Sequence, residues 1–318
     1  MEAVADQAPD EAFRHEAFFY SGPAEFRQGL GTFIREGLDN HEPVLVVLNA
    51  EKITQLREDL GDDADRVLFA DMDEVGANPA RIIPAWRRFV VDHEGAGGRI
   101  RGIGEPISSG RAAAALVECQ HHESLLNVAF ADTAGFHLLC PYDIGTLGPH
   151  VLVEARRSHP FVAVNGEERP NPDFREDVDG TLLLSDPLPA PPVQPRWRVF
   201  GLRGLADLRQ FVATEASRAG LARERAEDLV VAANEIASNC VLHGGGGGNA
   251  RIWTDGPTLV CEFNDRGTID HPLVGREEPD SAQESGYGVW MANQLVDLVQ
   301  VRSTGEGSTV RLHMALPL

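Results

Sequence analysis

The chain has 318 residues, 42% of them apolar, which is enough for two ordinary hydrophobic cores without staples. Twenty-eight Lys and Arg stand against 49 Asp and Glu, a formal charge of −21 that disfavours direct, unassisted binding to nucleic acid or an anionic membrane. Cys119, Cys140, Cys240 and Cys261 form no Cys-x-x-Cys pair, no apolar run reaches spanning length, and residues 1–16 are polar and acidic; a soluble protein of the reducing cytoplasm is expected.

Residues 1–14 read as a loose tail. Ala17–Tyr20 is a short buried strand, and Ser21-Gly-Pro23 opens a helix whose Phe26, Leu30, Phe33, Ile34 and Leu38 keep helical spacing. Pro43–Leu48 is apolar on both faces, as in a central strand of a parallel sheet. Helix (51–60), strand (67–70), helix (80–92), strand (99–104), helix (111–129) and strand (136–140) continue the alternation. Residues 15–180 are therefore expected to form an α/β domain, three layers around a mainly parallel sheet. They contain no GxxxxGK[ST] phosphate loop. Five prolines between Pro187 and Pro195 favour an extended spacer, and a linker is placed at 181–196. In 197–318, a strand, two helices (205–219 and 222–243), paired strands (250–254 and 259–264), a loop, a helix (287–298) and two closing strands predict an α+β two-layer sandwich.

In the first domain, Gly104-Glu105-Pro106 follows a strand expected to be central, at the end where α/β sheets bind ligands. On the next helix Glu118 and His122 are i, i+4, as are Cys119 and Glu123. Cys140-Pro-Tyr142-Asp143 ends a strand, and His159-Pro160 lies beyond. Three readings stay open. Glu118, His122, Cys140 and His159 could hold a metal, though their spacing matches no standard zinc pattern. Glu118 and Glu123 could instead cap or pair locally, with Cys140 a core residue. A small organic ligand could be walled by Glu105, Glu118, His122, Cys140 and Tyr142, which fits the strand-end placement best.

In the second domain, Glu235, Asn239 and His243 form a polar stripe on an otherwise apolar helix. An Asn oxygen can bind Mg²⁺ without adding charge, and a Glu one turn earlier can orient or deprotonate a hydroxyl. The same stripe could simply meet solvent. Downstream, Asp265-Arg-Gly267 follows an apolar strand, where a carboxylate can accept from adenine N6 and glycine lets the backbone approach the base. Gly286-Tyr-Gly288 precedes a helix whose N-terminal N–H groups suit phosphate. Each signal alone is weak; their order and spacing together are specific.

On these residues, 197–318 resembles the Bergerat-fold ATP-binding domain of the GHKL superfamily, and within it the anti-sigma-factor serine/threonine kinases. The match is carried by Asn234-Glu235…Asn239…His243-Gly, Asp265-Arg-Gly267 and Gly286-Tyr-Gly-Val-Trp-Met…Leu-Val-Asp297. The resemblance implies Glu235 as catalytic base, Asn239 as Mg²⁺ ligand, Asp265 as the adenine acceptor, and Gly267, Gly286 and Gly288 lining base and phosphates. Ile269 stands where the family often has a second glycine. The lid is acidic (Glu277, Glu278, Asp280 and Glu284 against Arg276) and has no lysine, so ATP would lean on Mg²⁺, backbone N–H groups and Arg266.

Residues 15–165 resemble the MEDS sensory domain of methanogen and methylotroph regulators. The matching stretches are His15-Glu-Ala-Phe-Phe-Tyr20, Gly104-Glu-Pro106, Glu118…His122-Glu-Ser-Leu-Leu-Asn127, Leu139-Cys-Pro-Tyr-Asp143 and Ser158-His-Pro160. That resemblance implies a small-molecule sensor and names no ligand. Together the two halves are expected to make a sensor-controlled kinase. Its partners would be a STAS-type anti-anti-sigma protein and/or a sigma factor, and the reading allows a homodimer. The rivals are a non-catalytic ATP-binding switch and a stand-alone ATPase.

Overall fold

The computed structural model describes residues 12–93, 98–164, 167–176, 182–279 and 286–317. These fall into two compact units that divide between residues 178 and 179.

In the first unit the alternation read from sequence is present: β1 (Arg14–Tyr20), α1 (Gly22–Asp39), β2 (Val44–Leu48), α2 (Ala50–Leu60), β3 (Leu68–Asp71), α3 (Met72–Val75), α4 (Ile82–His93), β4 (Ile100–Gly104), α5 (Ala113–Ala129) and β5 (Phe136–Asp143). Sequence periodicity did not reveal α6 (Pro149–Ser158) or the pair β6 (Phe161–Val164) and β7 (Glu167–Pro170). The seven strands run β3-β2-β4-β5-β1-β6-β7, parallel except for β7 against β6. Connecting β-strands in parallel requires long crossovers, which α1 to α6 supply. Leu30, Ile34, Val46, Leu48 and Leu56 pack one side of the sheet. β1 enters between β5 and β6, with His15 opposite Leu138 and Ala17 opposite Cys140. Paired residues of parallel neighbours point the same way, so all four share one face.

The second unit comprises α7 (Leu182–Ser185), β8 (Arg196–Gly201), α8 (Leu205–Arg218), α9 (Arg223–Leu242), β9 (Gly247–Asp255), β10 (Thr258–Asp265), α10 (Tyr287–Leu295), β11 (Leu298–Thr304) and β12 (Gly307–Ala315). Its antiparallel sheet runs β11-β12-β10-β9-β8. Period-2 alternation sends Cys261, Phe263, Val310 and Leu312 inward against Val212, Leu229, Ile236 and Ala292 of the helices, giving two layers.

The opposite face of this sheet carries an ion network. Glu262 is fully buried; its Oε2 accepts from Arg311 Nε at 2.6 Å and its Oε1 from Arg251 Nε at 2.7 Å and Asn264 Nδ2 at 2.8 Å. Burial would raise this carboxyl's pKa, but those donors outweigh it and hold the pKa below the usual range. Within the stretch expected as a spacer, α7 packs on β11, Leu184 is buried, and Arg311 Nη2 donates to the Pro189 carbonyl at 2.5 Å. Residues 182–189 are thus part of the second unit's packing. Proline density excludes helix and central strand but not docking of the chain against a sheet.

Candidate functional site

α9 is held down by Leu229, Ala233, Ile236 and Cys240. Its polar stripe emerges at one edge, with Glu235 and Asn239 half-buried and His243 exposed. A cavity of about 240 Å³ opens beside the helix's last turns, lined by Asn239, Asp265, Thr268, Ile269, Gly286 and Val289 among others.

Asp265 ends β10. Its Oδ1 accepts from the Gly267 N–H and from the Ser308 hydroxyl, both at 2.8 Å, which closes the Asp-Arg-Gly turn. The turn interlocks with the end of α9. A Cβ at Gly244 would lie 2.4 Å from the Asp265 carboxyl carbon, and one at Gly267 2.8 Å from the His243 carbonyl oxygen. Burial, and then the adjacent Asp265 carboxylate, push the Cys240 thiol's pKa up. Gly286, with φ of 105°, turns the chain into α10. A Cβ on Gly288 would sit 2.8 Å from Asn239 Nδ2, so the first turn of α10, whose N–H groups have no acceptor within the helix, lies against that carboxamide. Ile269 closes the cavity where a second glycine would open it, and its N–H donates to Ser303 Oγ at 2.8 Å. In the lid, Asn293 Nδ2 holds the Gly275 carbonyl at 2.9 Å; Asp280 and Glu284 lie outside the described residues.

An acceptor for an exocyclic amine, a helix N-terminus for phosphate and a neutral oxygen for a hard cation therefore meet at one cavity, with glycines where a Cβ would collide. These residues fit a purine nucleotide held through Mg²⁺. Glu235, one turn before Asn239, is not among the cavity's lining residues.

Of the five residues expected to wall one sensory pocket, Glu105 is the one that lines a cavity of about 540 Å³ at the carboxyl ends of β2, β4 and β5, together with Asn49, Lys52, Arg111 and Asp143. Lys52 Nζ lies 2.6 Å from both Glu105 oxygens, and Tyr20 donates to Oε1 at 3.0 Å. Burial raises the Glu105 carboxyl's pKa in spite of Lys52 and Tyr20. Lys52 carries a plain signal that helical and strand periodicity does not register: it is the only lysine in the chain.

Glu118, His122, Cys140 and Tyr142 are buried away from that cavity's lining. The candidate metal quartet also changes membership: Cys140 and His159 stay, while Glu123 and His15 replace Glu118 and His122. The i, i+4 pairing treated Glu118 and Glu123 alike, but the rotation of α5 turns Glu123 towards β1 and β5. Glu123 pairs across the fold, with its Oε2 3.2 Å from His15 Nε2 and 3.3 Å from His159 Nε2. Cys140 Sγ lies 3.4 Å from His15 Nε2. Burial, and then His159, push His15 down to about 4. Burial works to raise the Glu123 carboxyl's pKa, yet the two facing imidazoles, His15 and then His159, hold it well below the ordinary range. Burial, and then Glu123, raise both the Cys140 thiol and the Tyr142 phenol.

Residues 201–314 match the family of histidine kinase-like ATPase domains. Residues 14–160 match the MEDS family, the methanogen/methylotroph, DcmR sensory domain. The chain thus joins a MEDS domain to a GHKL-like ATPase domain. No curated protein matches it. Among solved structures, the RsbU and RsbW domains of Rv1364c from Mycobacterium tuberculosis align at 20% identity and a TM-score of 0.31, over 39% of this chain and 33% of that one. The histidine kinase AdeS of Acinetobacter baumannii aligns at 8% identity and a TM-score of 0.24, over 40% of this chain and 70% of that one. This chain therefore matches about a third of the mycobacterial protein's length. No helix among the described residues is long and apolar enough to cross a membrane.

Proposed function

We propose that the chain is a sensor-controlled protein kinase of the partner-switch kind, working in the cytoplasm. Its second unit would phosphorylate a serine or threonine of a STAS-type anti-anti-sigma protein, sequester a sigma factor, or do both. The observation that carries this reading is the meeting of Asn239, Asp265 and the start of α10 at one cavity, with a carboxylate one turn away on α9. ATP, when bound, supplies the transferable phosphoryl group, and Mg²⁺ offsets its charge. Asp265 would select adenine, the α10 N-terminus and Gly288 would receive phosphate, and Asn239 would hold the Mg²⁺. Glu235 would orient the acceptor hydroxyl and take its proton. The formal charge of −21 suits a basic partner surface. Glu105, Lys52 and Arg111 would read a small ligand at the first unit.

Radiolabelled γ-phosphate transfer from ATP to a purified STAS-type acceptor tests the assignment. Glu235→Gln should cut transfer by roughly 10²–10⁴ while ATP still binds. Label on histidine alone, or transfer unaffected by Glu235→Gln, would reject it. Binding without transfer is favoured by one observation, that Glu235 does not line the cavity. In that case ATP would change partner affinity with no label moving.

A further inference from the structure

Four side chains in the first unit converge on a point that neither domain's proposed role uses. His15 comes from β1, Glu123 from α5, Cys140 from β5, and His159 from the residues leading into β6. Their donor atoms all lie within 4.8 Å of one another, and none of the four residues is more than 2% exposed. Ala17, opposite Cys140 on β1, sets only a methyl group beside it on that face.

The hydrogen bonds around the cluster fix what points inward. Asn127 Nδ2 donates to the Ser158 carbonyl at 2.7 Å, which sets the amide so that Oδ1 faces His15 Nδ1 at 3.1 Å. His159 Nδ1 faces the Ala155 carbonyl at 2.7 Å. Both acceptors lack a proton, so each imidazole donates through Nδ1 and, when neutral, turns the lone pair of Nε2 inward. Those lone pairs lie 3.2 and 3.3 Å from the same Glu123 oxygen. Facing acceptors repel unless a cation sits between them. Among the described residues, neither buried His159 Nε2 nor buried Glu123 Oε1 meets a hydrogen-bond partner. An imidazole oriented through its remote N–H is the usual companion of a metal-ligating histidine.

We infer that His15, Glu123, Cys140 and His159 form a four-coordinate site for a borderline divalent transition ion of the Zn²⁺ type. Bonds of about 2.0–2.3 Å to a tetrahedral ion put neighbouring donors roughly 3.3–3.7 Å apart. The closest separations here, 3.2, 3.3 and 3.4 Å, already approach that spacing. Two imidazoles, a carboxylate and a thiolate suit Zn²⁺ or Co²⁺ and disfavour Mg²⁺ or Ca²⁺, which take oxygen ligands. On binding, the S–H bond of Cys140 breaks, its electron pair goes to the ion, and one proton leaves to solvent. With four protein donors the site is closed, a pin joining three adjacent strands to α5. It stands independently of the kinase assignment.

The full chain would be unfolded in guanidinium with reductant and chelator, then refolded with one equivalent of Co²⁺ or Zn²⁺, since the site is buried. Expected are one tightly held ion per chain, a thiolate-to-Co²⁺ charge-transfer band with intense tetrahedral d–d bands, and a raised Tm. Cys140→Ser should remove the charge-transfer band, and Asn127→Ala should weaken binding about 10–100-fold while keeping it. Glu105→Gln, in the other cavity, should bind as wild type does. Wild-type chain that refolds and holds no Co²⁺, or a charge-transfer band that survives Cys140→Ser, would overturn the site. Should a variant fail to fold, the wild-type spectrum and stoichiometry decide alone.

Discussion

Asp265→Asn separates two jobs of one side chain. Oδ1 closes the turn through Gly267 and Ser308, and an asparagine oxygen can keep both of those bonds. The other oxygen's position then becomes an NH₂ group, a donor where adenine N6 needs an acceptor. A hydrogen bond to a charged group contributes about 1.5–3 kcal/mol, so ATP affinity should fall roughly ten- to a hundredfold, more where donor faces donor. GTP, whose O6 accepts, should lose less or gain. Tm should stay close to wild type because the turn survives. Asp265→Ala, by contrast, abandons both turn bonds and should destabilise the second unit by about 1–3 kcal/mol. Calorimetric titration of both nucleotides, with thermal unfolding alongside, measures each quantity. An unchanged ATP/GTP ratio in a folded Asp265→Asn protein would remove Asp265 from base recognition.

Asn239→Ala should abolish Mg²⁺-dependent nucleotide binding with little change in Tm, since this half-buried side chain fills no core; equal ATP affinity by calorimetry would dismiss it as the Mg²⁺ ligand. Glu262→Gln leaves two arginines short of a buried carboxylate and should cost about 3–5 kcal/mol by urea unfolding followed at Trp253, whose ring lies under Arg311. Because the folded-state pKa of Glu262 is depressed, its contribution is present above the unfolded value near 4.5 and disappears as pH falls towards the folded value. Wild type should therefore lose more stability than Glu262→Gln on acidification, and parallel pH profiles would refute the network. A fragment of residues 197–318 should be less stable than 182–318 by about 2–4 kcal/mol, for the loss of buried Leu184 and of the Pro189 acceptor. Identical urea midpoints would make that segment a bystander.

The sequence by itself determined both fold classes, because they rest on local periodicity. Val44–Leu48 is apolar on both faces, and β10 alternates Cys261 and Phe263 against Glu262 and Asn264. It also singled out Asn239, Asp265 and Gly286, which the fold brings to one cavity, because helical spacing marks the first and turn chemistry at element ends marks the other two. Tertiary structure alone decided which of α5's polar residues meet, because Glu118 and Glu123 look alike along the chain. Only β1's insertion between β5 and β6 brings His15 and His159 to Glu123 and Cys140. Tertiary structure likewise docked part of the Pro-rich segment onto the second sheet. Proline content describes what a backbone cannot become; what it packs against depends on a surface, here Arg311 and β11, more than a hundred residues away.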